Sequence, residues 1–384
     1  MRTHPLAVAQ ATNLIDQMTG ESLHAKRILS LTNAVVGVIH AVSASIHAIG
    51  IGLAVAAGLH PKHAIKQVDR LLSNTALDVW ALFVHWVPHV LETQREIVVA
   101  LDWTEFDADD HATVALYLVT RHGRATPLIW RTVPKRQLKG RRNTCEDSVL
   151  LRLREVLPPG VTVTVLADRG FGDQKLYELL TDLRFDFIIR FRGNVIVHPA
   201  TGDAQPATAW VPTNGHIRQL RGAAVTADRY ALDSVVCVKA RGMKQPWCLA
   251  VRGAYTGAAA VKLYGRRFTI EEAFRDTKDA RYGLGLSATH IGDPRRRDRL
   301  LLICAMAMTL LTLLGAAGES LGMDRMLKAN TVKRRTHSLF RQGCYYYAAI
   351  PMMRPELLRS LVDRFAEYIL RQPVYVQTFS LNAA

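Results

Sequence analysis

The stretch EDSVLLRLREVLPPGVTVTVLADRGF, residues 146–171, decides the fold. Glu146 to Leu157 reads as a helix, stopped by Pro158-Pro159-Gly160. Val161 to Ala167 follows as a strand that ends at Asp168. Downstream, Lys175 to Leu183 reads as a second helix and Phe185 to Phe191 as a further strand. Strands separated by helices are joined by crossovers and run parallel. Upstream, Ile97 to Leu101, Thr113 to Val119 and Leu128 to Val133 are strand-like runs linked by short turn-rich segments, which imply antiparallel hairpins. Three antiparallel strands followed by parallel crossovers predict an α/β fold: a mixed five-stranded sheet with flanking helices.

Either side of this block the text changes. Residues 1–95 read as helical; in His60 to Asn74, Ile65, Val68 and Leu72 share one face and Lys62, Lys66, Asp69 and Arg70 the other. That basic face is either a solvated surface or a phosphate-binding one. Residues 193–262 hold Gly, Pro and Thr turns and short alternating runs, a β-rich insertion between residues 96–192 and 263–325 of one catalytic unit. Residues 326–384 read as a helical C-terminal region for DNA contact or dimerisation.

Lys and Arg number 49 against 33 Asp and Glu, a net charge of +16, and 49% of residues are apolar. The core is ample, and the surplus charge points to a polyanion, nucleic acid before anionic membrane. The five cysteines form no C-x-x-C pair, which fits a reducing compartment and speaks against a zinc ribbon. MRTHPLAVAQATNL at the start has no signal-peptide pattern. Leu300 to Ala317 is apolar over 18 residues, but a core helix has the same appearance.

Asp102 and Asp168 each follow an apolar strand, in VVALDWT and TVLADRG. Functional groups of α/β sheets gather at the carboxyl ends of strands. If the two strands are parallel neighbours, the carboxylates lie side by side, and a hard divalent cation relieves their repulsion. A third element is YGRRFTIEEAFRDTK, residues 264–278. Wound as one helix, it sets Tyr264, Arg267, Glu271 and Lys278 within an arc of about 60°. Leu263, Ile270 and Phe274 form an apolar stripe beside it. An Arg267–Glu271 pair on a solvated face would explain the same pattern.

Tyr-x2-Arg-x3-Glu-x6-Lys, here Tyr264, Arg267, Glu271 and Lys278, resembles the signature of DDE transposases of the IS-four family of bacterial insertion sequences. Asp102-Trp103-Thr104 and Ala167-Asp168-Arg169-Gly170-Phe171 resemble that family's other two blocks, and Ser338 to Tyr347 its C-terminal region. The gaps are 168 − 102 = 66 and 271 − 168 = 103 residues, the second holding the β-rich insertion. The resemblance implies a ribonuclease H-like fold in which Asp102, Asp168 and Glu271 bind two Mg²⁺ ions, with Mn²⁺ as a substitute.

The implied reaction is phosphoryl transfer on DNA. A homodimer would bind the inverted-repeat ends of its element in the cytoplasm, without a membrane, and cut and rejoin them, with DNA hairpins as one route. Tyr264, Arg267 and Lys278 would contact phosphates, and Trp247, ahead of Trp210, would hold a displaced base. The Arg295–Arg299 run and Lys333-Arg334-Arg335 are DNA contacts or solvated helix ends. The alternatives are a catalytically silent DNA-binding inhibitor or domesticated copy, and a ribonuclease H-like nuclease that cuts without joining.

Overall fold

A computed structural model describes residues 23–370 together with Thr12, Ile15, Asp16 and Thr378. Apart from those four, residues 1–22 and 371–384 lie outside the described residues, and so does the expectation for the MRTHPLAVAQATNL segment. The described N-terminal part is helical: α1 Ala25–Ala41, α2 Ile46–Ala57, α3 Pro61–Ser73 and α4 Val79–Leu91. In α3, Val68, Leu71 and Leu72 are buried while Lys62, Lys66, Asp69 and Arg70 face outward. Asp78 caps α4 by accepting from the Trp80 and Ala81 amides, satisfying donors that the first turn leaves open.

The central sheet begins with β1 Glu96–Phe106, β2 His111–Val119 and β3 Ala125–Pro134. Helix α5 Arg142–Val156 leads to β4 Thr162–Ala167, and α6 Gln174–Asp182 leads to β5 Asp186–Arg190. Their order is β3-β2-β1-β4-β5. β1–β2 and β2–β3 pair antiparallel, whereas β1–β4 and β4–β5 pair parallel. This is the mixed α/β layout expected from the sequence, consistent with a ribonuclease H-like fold.

The sheet does not stop at five strands. The following segment supplies β6 Ile196–His198, β7 Gln205–Pro206, β8 Arg218–Arg221, β9 Ala224–Val225, β10 Tyr230–Ala231, β11 Ser234–Val238 and β12 Trp247–Arg252. β12, β11 and β8 extend the main sheet to eight strands, and the other four form a small sheet of their own. β12 covers the open edge of β5, pairing antiparallel through Leu249↔Arg190 to Arg252↔Phe187. An apolar strand edge left bare would expose unpaired amides and carbonyls, and β12 removes that edge. Cys237 and Cys248 face each other across the β11–β12 hairpin as free thiols.

The C-terminal part contains α7 Gly257–Gly265, α8 Phe268–Lys278, α9 Pro294–Ser320, α10 Leu339–Ala349 and α11 Pro355–Leu370. The single helix expected over 264–278 is two helices. The amides of Arg266 and Arg267 turn back to the carbonyls of Leu263 and Tyr264, a three-residue spacing that tightens the chain between α7 and α8. Both residues keep right-handed helical torsions, so periodicity alone could not register the break.

α9 is long and apolar enough to cross a membrane, yet 89% of its apolar window is buried within the protein. It lies against α10, α1, α11 and β3. A Cβ on Gly343 would stand 1.8 Å from the Leu311 carbonyl oxygen, and one on Gly315 1.9 Å from that of Leu339. The two backbones approach so closely that only glycine fits at the crossing.

Candidate active site

The sheet register assembles the site. Leu101 of β1 is abreast of Ala167 of β4, and Ala167 is abreast of Ile189 of β5. One residue further on, Asp102, Asp168 and Arg190 form a row across the carboxyl ends of the parallel strands, with strand spacings of about 4.8 Å. Because β12 runs antiparallel to β5, its first residue, Trp247, arrives at this same end of the sheet.

Asp102 is largely buried. Its Oδ1 accepts from the Trp103 amide at 2.8 Å, and its Oδ2 lies 3.3 Å from Arg267 Nη1. Burial pushes its carboxyl up to about 6. Arg267 and the Trp103 amide oppose that rise, while Asp168 and Glu271 add to it. Asp168 and Glu271 therefore both act on Asp102, although all three are far apart in sequence. Asp168 is half-buried and its Oδ1 accepts from the Gly170 amide at 2.7 Å.

Glu271 reaches the row from α8, which packs on β1, β2 and β3. Its side chain is 50% exposed, and Arg267 Nη2 holds its Oε1 at 2.7 Å. Arg267, 6% exposed at its side chain, thus bridges Asp102 and Glu271. Its Nε finds no acceptor among the described residues. The i,i+4 pair exists as the solvated-face interpretation had it, but it is turned inward and shared with a strand carboxylate.

Tyr264 is 1% exposed. Its ring meets Trp247 edge-on at 4.8 Å and has the Arg267 guanidinium 6.0 Å from its centroid. Burial raises its phenol, with Arg267 and Arg190 opposing. It therefore stands behind the cleft, whereas Glu271 and Lys278 line it. Lys278 lies at the rim, donating to Thr104 Oγ1 at 3.0 Å and to the Glu105 carbonyl at 2.6 Å. A cleft of about 660 Å³ opens between these walls, lined by Asp102, Thr104, Glu271, Phe274 and Lys278 among others.

Trp247 is half-buried, beside the exposed Phe268 at a centroid distance of 6.3 Å. Trp210 instead lies under Arg218 of the edge strand β8. The basic runs divide: Lys333 and Arg334 are exposed, whereas several of the other arginines have internal partners. Arg297 is fully buried, bonding to Asp109 and His111, and Arg299 donates to the carbonyls of Leu72 and Leu77. Arg296 pairs with Asp69, and Arg335 with Glu319. Arg295 remains exposed. Two features escaped the sequence reading. Trp103 Nε1 donates to the buried Glu146 at 2.7 Å, with Arg142 stacked 4.9 Å from its ring; Arg169 and Arg190 converge on the β11–β12 loop. The run KRQLKGRR, residues 135–142, was the available signal for the first.

Two neighbouring carboxylates, with a third in electrostatic reach, are hard oxygen donors of the type that Mg²⁺ or Mn²⁺ takes. Among the described residues no three His, Cys, Asp or Glu side chains are close enough to enclose one ion. Arg267 lies between Asp102 and Glu271 and supplies the positive charge there. The donor chemistry fits a divalent cation, and the spacing is that of an arginine-bridged arrangement.

Residues 139–310, just under half of the chain, match the family model of the Transposase DDE domain. The matched range contains Asp168, Glu271 and the β-rich segment between them, and Asp102 lies ahead of it. The match supports a DDE transposase, an enzyme acting on DNA. No curated protein matches the chain.

Proposed function

We propose that this protein is a DDE transposase of the IS-four type, which binds the inverted-repeat ends of an insertion sequence and cuts and transfers its strands. The observation that carries this is the row of Asp102 and Asp168 at adjacent strand ends, joined from α8 by Glu271 through Arg267. The match to the Transposase DDE domain and the net charge of +16 support it independently.

In this proposal Asp102, Asp168 and Glu271 hold the Mg²⁺ ions. When bound there, the ions supply charge neutralisation at the scissile phosphate and a water or DNA hydroxyl of lowered pKa. The chain's own part is positioning. Lys278, held at the rim by Thr104 and Glu105, offers its ammonium to a DNA phosphate. Arg267 and Tyr264 reach a phosphate only if the α7–α8 junction opens, since both are buried. Trp247, half-buried at the same sheet end, offers a face on which a displaced base can stack. Residues 1–95 and 326–384 serve DNA binding and dimerisation, and the reaction takes place in the cytoplasm on the nucleoid.

The test is strand nicking of duplex DNA carrying the sequence that flanks the gene, with Mg²⁺ or Mn²⁺ and with EDTA. The expected result is metal-dependent nicking and transfer into a target plasmid, lost in Glu271→Ala by about a thousandfold or more. Normal nicking by that variant would remove Glu271 from the mechanism. DNA binding without metal-dependent cleavage would indicate the silent DNA-binding alternative, and cleavage without transfer the nuclease.

A further inference from the structure

Asp168 has cationic neighbours that the carboxylates do not use. Arg190 stands beside it in the register row, and Arg169 follows it directly. Arg169 Nη1 and Arg190 Nη2 both donate to Gln245 Oε1, at 3.1 and 3.2 Å, and Arg190 also donates to the Pro246 carbonyl at 3.0 Å. Each of these acceptors is a neutral oxygen. Elsewhere at the site the guanidiniums have carboxylate partners: Arg267 has Asp102 and Glu271, and Arg275 has Glu272. Two guanidiniums meeting at one uncharged oxygen repel each other, and a phosphate would relieve that repulsion while filling both forks. Arg169 and Gln245 are exposed, so an anion has access. The loop that carries Gln245 also bears exposed Lys239, Arg241 and Lys244.

We propose that Arg169 and Arg190 form a phosphodiester subsite at the Asp168 end of the carboxylate row, in which Gln245 Oε1 occupies the place of a non-bridging phosphate oxygen. The subsite rests on the transposase proposal, because its ligand is the backbone of the DNA strand lying across Asp102 and Asp168. Lys278 grips that backbone on one side of the carboxylates and the arginine pair on the other. The space between them spans β1, β4 and β5, at least two strand separations of ~4.8 Å, more than one nucleotide along the backbone.

The experiment measures binding of the full-length protein to a fluorescently labelled duplex carrying the DNA that flanks its gene. Affinity is recorded between about 50 and 200 mM salt, where each phosphate contact contributes ~0.9 to the slope of log K against log salt. Arg169→Ala and Arg190→Ala are each expected to lower the slope by about one contact. Arg190→Lys keeps the slope, and Gln245→Ala keeps it with equal or tighter binding. An unchanged slope in both alanine variants, with wild-type melting curves, overturns the subsite. If Arg190→Ala does not fold, the exposed Arg169→Ala decides. Inorganic phosphate that protects the wild type without any slope change in the variants also overturns it, marking a small-anion site instead. A lowered slope in a protein that never cleaves with Mg²⁺ leaves the subsite standing and removes the transposase proposal. Cleavage with unchanged slopes does the reverse. Absence of duplex binding by the wild type overturns both.

Discussion

Two walls meet along the carboxylate row and solve their electrostatics in opposite ways: the Asp102 wall lines the cleft, and the Asp168 wall lies beyond it. On the Asp102 wall, charge meets charge: Arg267 is shared by Asp102 and Glu271, and Arg275 is held by Glu272. On the Asp168 wall, Arg169 and Arg190 meet only the neutral oxygens of Gln245 and Pro246. The first wall is built from β1 and α8, where the buried Arg267 and the largely buried Asp102 need each other. The second is built from strand ends and a loop near solvent, where a cation can wait with a weak partner. A wall whose charges are paired maintains the site, and a wall whose charges are underused is available to a ligand.

The change that most directly breaks this comparison is Arg267→Ala. It leaves Asp102 and Glu271 without their shared cation, so the neutral acid is favoured and the Asp102 carboxyl should titrate above about 6. Carboxyl ¹³C NMR on the metal-free protein reads this directly. Breaking a buried ion pair costs about 3–5 kcal/mol, and here protonation of Asp102 below its raised pKa offsets part of that. A melting temperature equal to the wild type at pH 8, with an unmoved Asp102, would mean that Arg267 does not maintain this wall.

Asp298 sharpens the comparison as a carboxylate desolvated elsewhere. Burial raises it to about 7, opposed by the Thr132 amide that donates to it at 3.0 Å and by Arg131 and Arg299. A carboxyl raised on folding contributes stability that is complete below its unfolded pKa and is lost as pH rises through the folded value. The wild-type melting temperature should therefore fall between about pH 4 and 7 relative to Asp298→Asn, which carries no charge and can still accept from Thr132. Parallel curves for the two proteins would contradict the burial of that charge.

The smallest expected effect is at Arg142, exposed and stacked over Trp103 on the opposite face of β1. Arg142→Ala should cost about 0.5–1 kcal/mol in urea unfolding. A loss of several kcal/mol would show that the Trp103–Glu146 contact depends on this arginine and that the Asp102 wall is supported from both faces.

Much of the architecture was legible before any coordinates. The five strands, the two crossovers and the helices at either end follow from local period and punctuation, because an apolar run between turns has few alternatives. Asp102 and Asp168 could be named because strand-end acids are visible in the text, and Glu271 because its four-residue pattern is long enough to be specific. The break at Arg266–Arg267 was hidden because both residues keep helical torsions, and only the hydrogen-bond spacing changes. The inward burial of Tyr264 and Arg267 was hidden with it.

By itself, then, the sequence determined the element order and the basic charge, and it is the source of the proposed acidic trio, all carried by short windows. Tertiary structure alone decided that β12 closes the edge of β5 and that Arg190 stands in line with Asp102 and Asp168. It also decided that Arg297 and Arg299 are internal struts and that the apolar α9 is a core helix locked at Gly315 and Gly343. These depend on strand register and helix approach between residues far apart in the chain, and no local period records which distant partner a residue will meet.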